Sequence, residues 1–301
     1  MEQIAAIVVT YNRKDLLYQC VEKLLAQQNV TCDILIVDNA STDGTGAEFL
    51  TLAEHQPHLF YRNTGANLGG AGGFNFGVRW AVEAGYSYLW LMDDDTLPCP
   101  NALAELWNSH EQLQGNYGWL SSKCLWLDGA LCPMNIQRVT PFREIKSFAQ
   151  PLIPAQMASF VSLFLKAETV QRFGLPIKEF FIWTDDWEFT RRISCVLPSY
   201  VVTDSVVVHA MKSKTVVNIA TDSGERLSRY QYFYRNDVYL YRREGIKGWI
   251  WLLSKNIWHS VQVLCGGKEE KKKKWAIIWN GFEKGKLFFP DIEFVMKTQN
   301  S

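Results

Sequence analysis

The sequence has no uninterrupted apolar run of the roughly 18 residues that a membrane-spanning helix needs, so no spanning segment is expected. It has no C-x-x-C pair and no zinc spacing. Its seven cysteines are scattered from Cys20 to Cys265, a pattern that fits buried free thiols in a reducing compartment. No basic segment or cleavage site precedes the first apolar run, and no signal peptide is read there. The formal net charge is zero, so nothing points to nucleic acid as a partner. These absences lead us to expect a cytoplasmic protein, or one held at the inner face of the cell membrane. Apolar residues are abundant: at 48% of 301 residues, they suffice for one large α/β domain and a smaller appendage.

Ile4–Thr10 and Asp33–Asp38 are short runs rich in β-branched residues and read as buried parallel strands. Helical spacing follows each, over Arg13–Gln27 and Ser41–Leu52. Phe60–Arg62 reads as a third strand, then a glycine-rich loop, a helix from about Phe74 to Ala84, and a fourth strand at Tyr88–Met92. A helix is expected from Ala102 to Gln114. Farther on, Trp119–Leu131 suggests one or two strands, Ser159–Leu165 another, Glu168–Phe173 a short helix and Tyr200–His209 a strand. Alternation of strand and helix predicts an α/β fold with a mostly parallel sheet flanked by helices, where ligands bind beyond the carboxyl ends of the strands.

The polar clusters sit at those ends. Asp93-Asp94-Asp95 follows the fourth strand. Three adjacent carboxylates repel one another unless a cation is present, and oxygen ligands suit Mn²⁺ or Mg²⁺. Asp38 ends the second strand, where a carboxylate can accept from a nucleoside or can cap a turn. The glycines from Gly69 to Gly73 let backbone approach a ligand closely. They match neither the dinucleotide fingerprint nor a phosphate loop. Trp183-Thr-Asp185-Asp186-Trp-Glu188 opens a helix. Its acids can complement the helix dipole or supply a base for a hydroxyl nucleophile. His209, after an apolar run, can complete a metal site or serve structurally.

Taken together, Ile7–Arg13, Ile36–Gly44, Asn67–Phe74, Met92–Asp95, Asp185–Glu188, His209 and Tyr230–Asn236 resemble family 2 inverting glycosyltransferases of the GT-A fold. The resemblance runs over roughly residues 4 to 243. It implies that Thr10, Tyr11, Asn12 and Asp38 bind the nucleoside, with Asn67, Gly69, Gly70 and Asp94 near the rest of the donor. It implies Asp93, Asp95 and His209 as ligands of Mn²⁺ or Mg²⁺, and Asp186 as the catalytic base. Trp183, Asp185 and Glu188 would position acceptor or sugar. The glycine segment and Trp183 are most similar to bacterial galactofuranosyltransferases, with a departure at Thr184. Rhamnosyltransferases using dTDP-rhamnose are next, sharing the Asp38 region and the Arg235-Asn236 pair. The implied donor is UDP-galactofuranose, and the implied acceptor a glycan or polyprenyl-linked hydroxyl in cell-surface polysaccharide synthesis. A nucleotide-sugar-binding protein without catalysis is the alternative from another class.

The resemblance suggests a catalytic domain over residues 1–225, with a nucleotide-binding half at 1–115 and an acceptor half at 116–225. A helical region fills 226–301. There, Trp249 to Leu264 and Trp275 to Trp279 flank the lysines between Lys268 and Lys274. Aromatics beside lysines suit a peripheral membrane contact, and equally suit helices packed on the catalytic domain.

Overall fold

The computed structural model describes residues 3–211, 218–224, 226–266 and 270–295. Four strands, β1 (Ile4–Thr10), β2 (Asp33–Asp38), β3 (Leu59–Asn63) and β4 (Tyr88–Asp93), pair in parallel in the order β3-β2-β1-β4. Helices α1 (Lys14–Leu25), α2 (Thr45–His55) and α3 (Gly69–Glu83) connect them. Strand β1 is buried at every position, as expected of a strand covered on both faces. Its alternate residues feed two cores: Ile7 and Val9 pack beneath α3 with Phe74 and Val78, while Ala6 and Val8 face α1 with Leu17 and Val21.

Beyond β4 the chain adds β5 (Thr96–Pro98), α4 (Ala102–Gln112) and β6 (Leu120–Trp126). A small hairpin of β7 (Arg138–Thr140) and β8 (Arg143–Glu144) follows, then β9 (Leu152–Pro154), β10 (Leu163–Lys166), α5 (Ala167–Phe173), α6 (Asp185–Ser194) and β11 (Tyr200–His209). Strand β10 inserts antiparallel between β4 and β6. Strand β11 runs parallel to β6 and holds β5 and β9 antiparallel. The sheet is therefore parallel through its first half and mixed beyond. The strand expected at 159–165 begins pairing only at Leu163; Ser162 instead accepts from Trp90 Nε1 at 2.8 Å.

The glycine-rich segment is not a loop. Helix α3 begins at Gly69, five residues before the expected start. A Cβ at Gly73 would stand 2.5 Å from Val9 Cγ1, and one at Gly77 2.5 Å from Ile7 Cγ2. Missing side chains let the helix settle onto β1, which outweighs a helix-propensity cost of about 1 kcal/mol per glycine.

Helices α7 (Arg226–Tyr241), α8 (Gly245–Gly266) and α9 (Lys271–Lys286) complete the fold. Gly281 and Gly285 of α9 lie against Tyr234 and Val238 of α7. After α9 the chain returns to the catalytic core: Leu175 N–H donates to Glu293 O, and the Glu293 carboxylate accepts from Asn75, Arg79 and Lys178. Helix α8 buries Leu252, Asn256 and Val263 and exposes Ile246, Ile250, Leu253, Ile257, Trp258, Val261 and Leu264. In the lysine run Lys271, Lys272 and Lys273 are exposed. Lys274 is buried and donates to Ala220 O, Lys271 donates to Leu264 O, and Lys273 pairs with Glu270. Lys268 lies outside the described residues. Among the described residues no helix is long and apolar enough to cross a membrane.

Candidate active site

Asp93 ends β4 and is half-buried; Asp94 and Asp95 turn into β5 and are buried. Pairing of β11 with β5 sets His209 opposite Thr96, beside the acids. His209 Nε2 lies 3.0 Å from Asp95 Oδ1, while its Nδ1 lies 2.8 Å from Asn135 Oδ1. Arg13 Nη1 contacts Asp95 Oδ2 at 2.6 Å and Asp94 Oδ1 at 3.2 Å, and Thr10 Oγ1 donates to Asp94 Oδ2 at 2.7 Å. Burial, with the charge of Asp95, pushes the Asp93 carboxyl up to about 7. Burial also lifts Asp94 to about 6 against the pull of Arg13. At Asp95 burial is outweighed by His209 and Arg13, so its carboxyl falls below the ordinary value.

Asp95 Oδ1 is buried and makes no well-aligned hydrogen bond, with His209 Nε2 3.0 Å away. Such an atom is costly to leave unmatched, and a hard divalent cation would satisfy it. With Nδ1–H of His209 donating to Asn135, Nε2 would offer its lone pair to a cation bound beside Asp95. Oxygen and imidazole donors fit Mn²⁺ or Mg²⁺. Asp93 stands at the edge of this group. Among the described residues, the ligand atoms that gather within 4.8 Å of one another are those of Cys124, Cys132 and His209; Asp93, Asp95 and His209 do not form such a group.

At the nucleoside end Asp38 is fully buried, its Oδ1 accepting Ser41 N–H at 2.8 Å and its Oδ2 accepting Tyr61 O–H at 2.6 Å. Burial and that bond push the Tyr61 hydroxyl up to about 12, so it stays a donor. The carboxylate thus anchors the turn after β2; each oxygen carries one hydrogen bond and keeps a second lone pair. Asn12, at φ 53°, accepts from Thr42 N–H at 2.7 Å and ties the β1 turn to the β2 turn. Thr10 is buried beneath Asp94, and Tyr11 is exposed at the rim. Asn67 Oδ1 accepts Gly69 N–H at 2.9 Å, and Gly69 makes room for the Phe181 carbonyl, which a Cβ would overlap. Gly70 faces open space.

In the second acidic cluster Asp186 is partly exposed, while Asp185 and Glu188 are buried. Asp186 Oδ1 accepts Trp187 N–H at 2.7 Å. Burial holds the Asp186 carboxyl well above its ordinary value; the charge of Asp185 adds to this, and so does that of Asp93. Burial raises Asp185 to about 6. Glu188 is buried and ion-paired with Arg192 and Arg243. Trp183 packs edge-on against Tyr230 at 5.2 Å. Tyr61, Asn135 and the loop-supporting role of Asn236 were missed in the sequence. Their partners lie 23, 74 and more than 50 residues away, beyond any local signal.

Residues 5–119 match the family described as Glycosyl transferase family 2. The galactofuranosyltransferase GlfT1 of Mycobacterium tuberculosis is 28% identical over 308 residues, covering 90% of this chain and 97% of that protein. An undecaprenyl-phosphate mannosyltransferase of Micrococcus luteus is 37% identical over 106 residues, 35% of this chain and 42% of that protein. Among solved structures, S. aureus TarS superposes with a TM-score of 0.57 at 15% identity over 94% of this chain; the match spans 43% of the TarS chain. The mannosyltransferase PcManGT of Pyrobaculum calidifontis, solved with GDP-Man and Mn²⁺, gives 0.54 at 16% identity over 95% of this chain and 73% of its own. At these identities the structural likeness speaks for the fold. Together with the matched family and the relatives along nearly the whole chain, it leads to one conclusion: this chain is a glycosyltransferase of the GT-A fold, carrying a glycosyl transferase family 2 domain.

Proposed function

We propose that this glycosyltransferase moves galactofuranose from UDP-galactofuranose onto a hydroxyl of a glycan or polyprenyl-linked acceptor, with inversion, in cell-surface polysaccharide synthesis. The observation that carries this reading is the acid cluster after β4, where Asp95 meets His209 at 3.0 Å and Arg13 at 2.6 Å. Asp186, partly exposed at the start of α6, would supply the proton acceptor. Similarity to GlfT1 along nearly its whole length supports the donor.

Asp93, Asp95 and His209 would hold Mn²⁺ or Mg²⁺, which when bound neutralises a leaving diphosphate. The remaining work falls to the chain. Thr10, Tyr11, Asn12, Gly70 and Asp94 border the donor pocket. Arg13, a cation at the mouth of the acid triplet, adds charge for a phosphate. Asp186 takes the proton of the acceptor hydroxyl as that oxygen attacks the anomeric carbon. One displacement inverts the anomeric centre, and holding both substrates in line supplies much of the rate.

A lipid-linked acceptor places the enzyme at the cytoplasmic membrane face. The exposed apolar stripe of α8 supports a peripheral contact there. A donor panel of UDP-galactofuranose, dTDP-rhamnose, UDP-galactose and UDP-glucose, read by release of nucleoside diphosphate with Mn²⁺ present, tests the proposal. UDP-galactofuranose should be turned over fastest; faster release from dTDP-rhamnose would replace the donor.

A further inference from the structure

The loop leading into α6 holds a shape that L-residues rarely adopt. Phe181, Trp183 and Thr184 have φ of 64°, 64° and 70°, each costing on the order of 1 kcal/mol or more. Three such residues within four persist only where surrounding structure holds them.

Two distant segments do so. From α7, the fully buried Asn236 directs Nδ2 at the carbonyls of Phe180, Ile182 and Trp183, at 3.0, 3.2 and 2.9 Å. Its Oδ1 accepts from Arg235 Nε and Nη2 at 3.0 and 2.8 Å, which fixes the amide's orientation. The next residue, Asp237, accepts from Thr184 Oγ1 at 3.1 Å and from Lys255 Nζ of α8. From α3, Ala71 N–H donates to Phe181 O at 3.2 Å, and Gly69 leaves the space that carbonyl fills. The glycine segment and the Arg235-Asn236 pair therefore meet on opposite sides of one loop.

We propose that Asn236, with Asp237 beside it and Gly69 opposite, clamps this strained loop so that Asp186 is held at the cleft. Asn236 is then a positioning residue for the transfer step, acting through the backbone before α6 and touching neither donor nor acceptor. The proposal rests on Asp186 being the base. It also gives the C-terminal helices a part in catalysis: α7 supplies Asn236 and Asp237, and α8 supplies the lysine that neutralises Asp237.

The test uses the full chain and five proteins: wild type, Asn236→Ala, Thr184→Val, Thr184→Ser and Asp186→Asn. Binding of UDP with Mn²⁺ is measured by calorimetry, and kcat and KM with whichever donor the panel selects. Displacement of a reacting group by about an ångström costs up to roughly a hundredfold in rate. Asn236→Ala should therefore lose at least about tenfold in kcat and Thr184→Val several-fold, with UDP binding and KM within about twofold of wild type. Thr184→Ser keeps the hydroxyl and should keep kcat. Wild-type kcat in Asn236→Ala overturns the clamp, as does UDP binding lost in step with kcat. Should Asn236→Ala fail to fold, wild-type kcat in Thr184→Val overturns it equally. Normal turnover by Asp186→Asn overturns the base assignment on which the clamp stands. Loss there beside wild-type rates in the other variants overturns the clamp alone.

Discussion

Replacing Glu188 by Gln removes one buried negative charge and leaves its two arginines behind. Glu188 is 1% exposed; Arg192 Nη2 meets Oε2 at 3.0 Å and Arg243 Nη1 meets Oε1 at 3.0 Å. Breaking a buried pair typically costs about 3–5 kcal/mol. Two features lower that here. Arg192 keeps the carbonyls of Phe173 and Leu175, and the Arg243 side chain is 44% exposed, so water can replace its partner. The expected loss is about 2–3 kcal/mol. At roughly 2–4 °C per kcal/mol for a chain of this size, Tm should fall by about 5–10 °C. Calorimetry reads that shift, and kinetics well below the new Tm should give kcat within about twofold of wild type, since no sugar contact has been lost. An unchanged Tm with a large loss of kcat would refute the structural reading and return Glu188 to the substrate.

Asp95→Ala and His209→Ala should each weaken Mn²⁺ binding by more than about tenfold and lower activity with it; full activity of both in chelator would remove the metal site. His259 is held neutral, its pKa lowered to about 4 by burial and then by Lys255. The unfolded state gains a proton near pH 6.5 and the folded state only near 4, so stability should fall across that window by roughly 2 kcal/mol after allowance for partial exposure. His259→Gln should flatten that part of the melting profile, and an unaltered profile would contradict the assignment. Lys271, Lys272 and Lys273 are exposed, so vesicle binding should combine the α8 stripe with their charge, need anionic lipid and fall with added salt. Co-sedimentation should be lost in the double variant Ile250→Glu, Ile257→Glu; an intact chain that ignores anionic vesicles at low salt would end the membrane reading.

The first four strands were legible because each is a short β-branched run ending in a polar residue, and their order already placed Asp93–Asp95 and the β1 turn at one sheet edge. The place of His209 at that edge followed from the family resemblance more than from any local pattern. The start of α3 was not legible: glycine propensity argues against helix, and only the 2.5 Å approach of Gly73 to Val9 explains why packing prevails. Strands β5, β7, β8 and β9 have two or three residues each, too few to show a period. The partners of Asp38 and Glu188 were not legible either: Tyr61 and Arg243 are brought in from 23 and 55 residues away.

The central claim is that Asp186 acts as the base beside a cation site. Turnover by Asp186→Asn, in the presence of Mn²⁺ and the preferred donor, tests it most directly, because the change keeps shape and removes the proton acceptor. Donor affinity should stay at the wild-type value while kcat falls by roughly a hundredfold or more. Wild-type kcat in that variant would contradict the account.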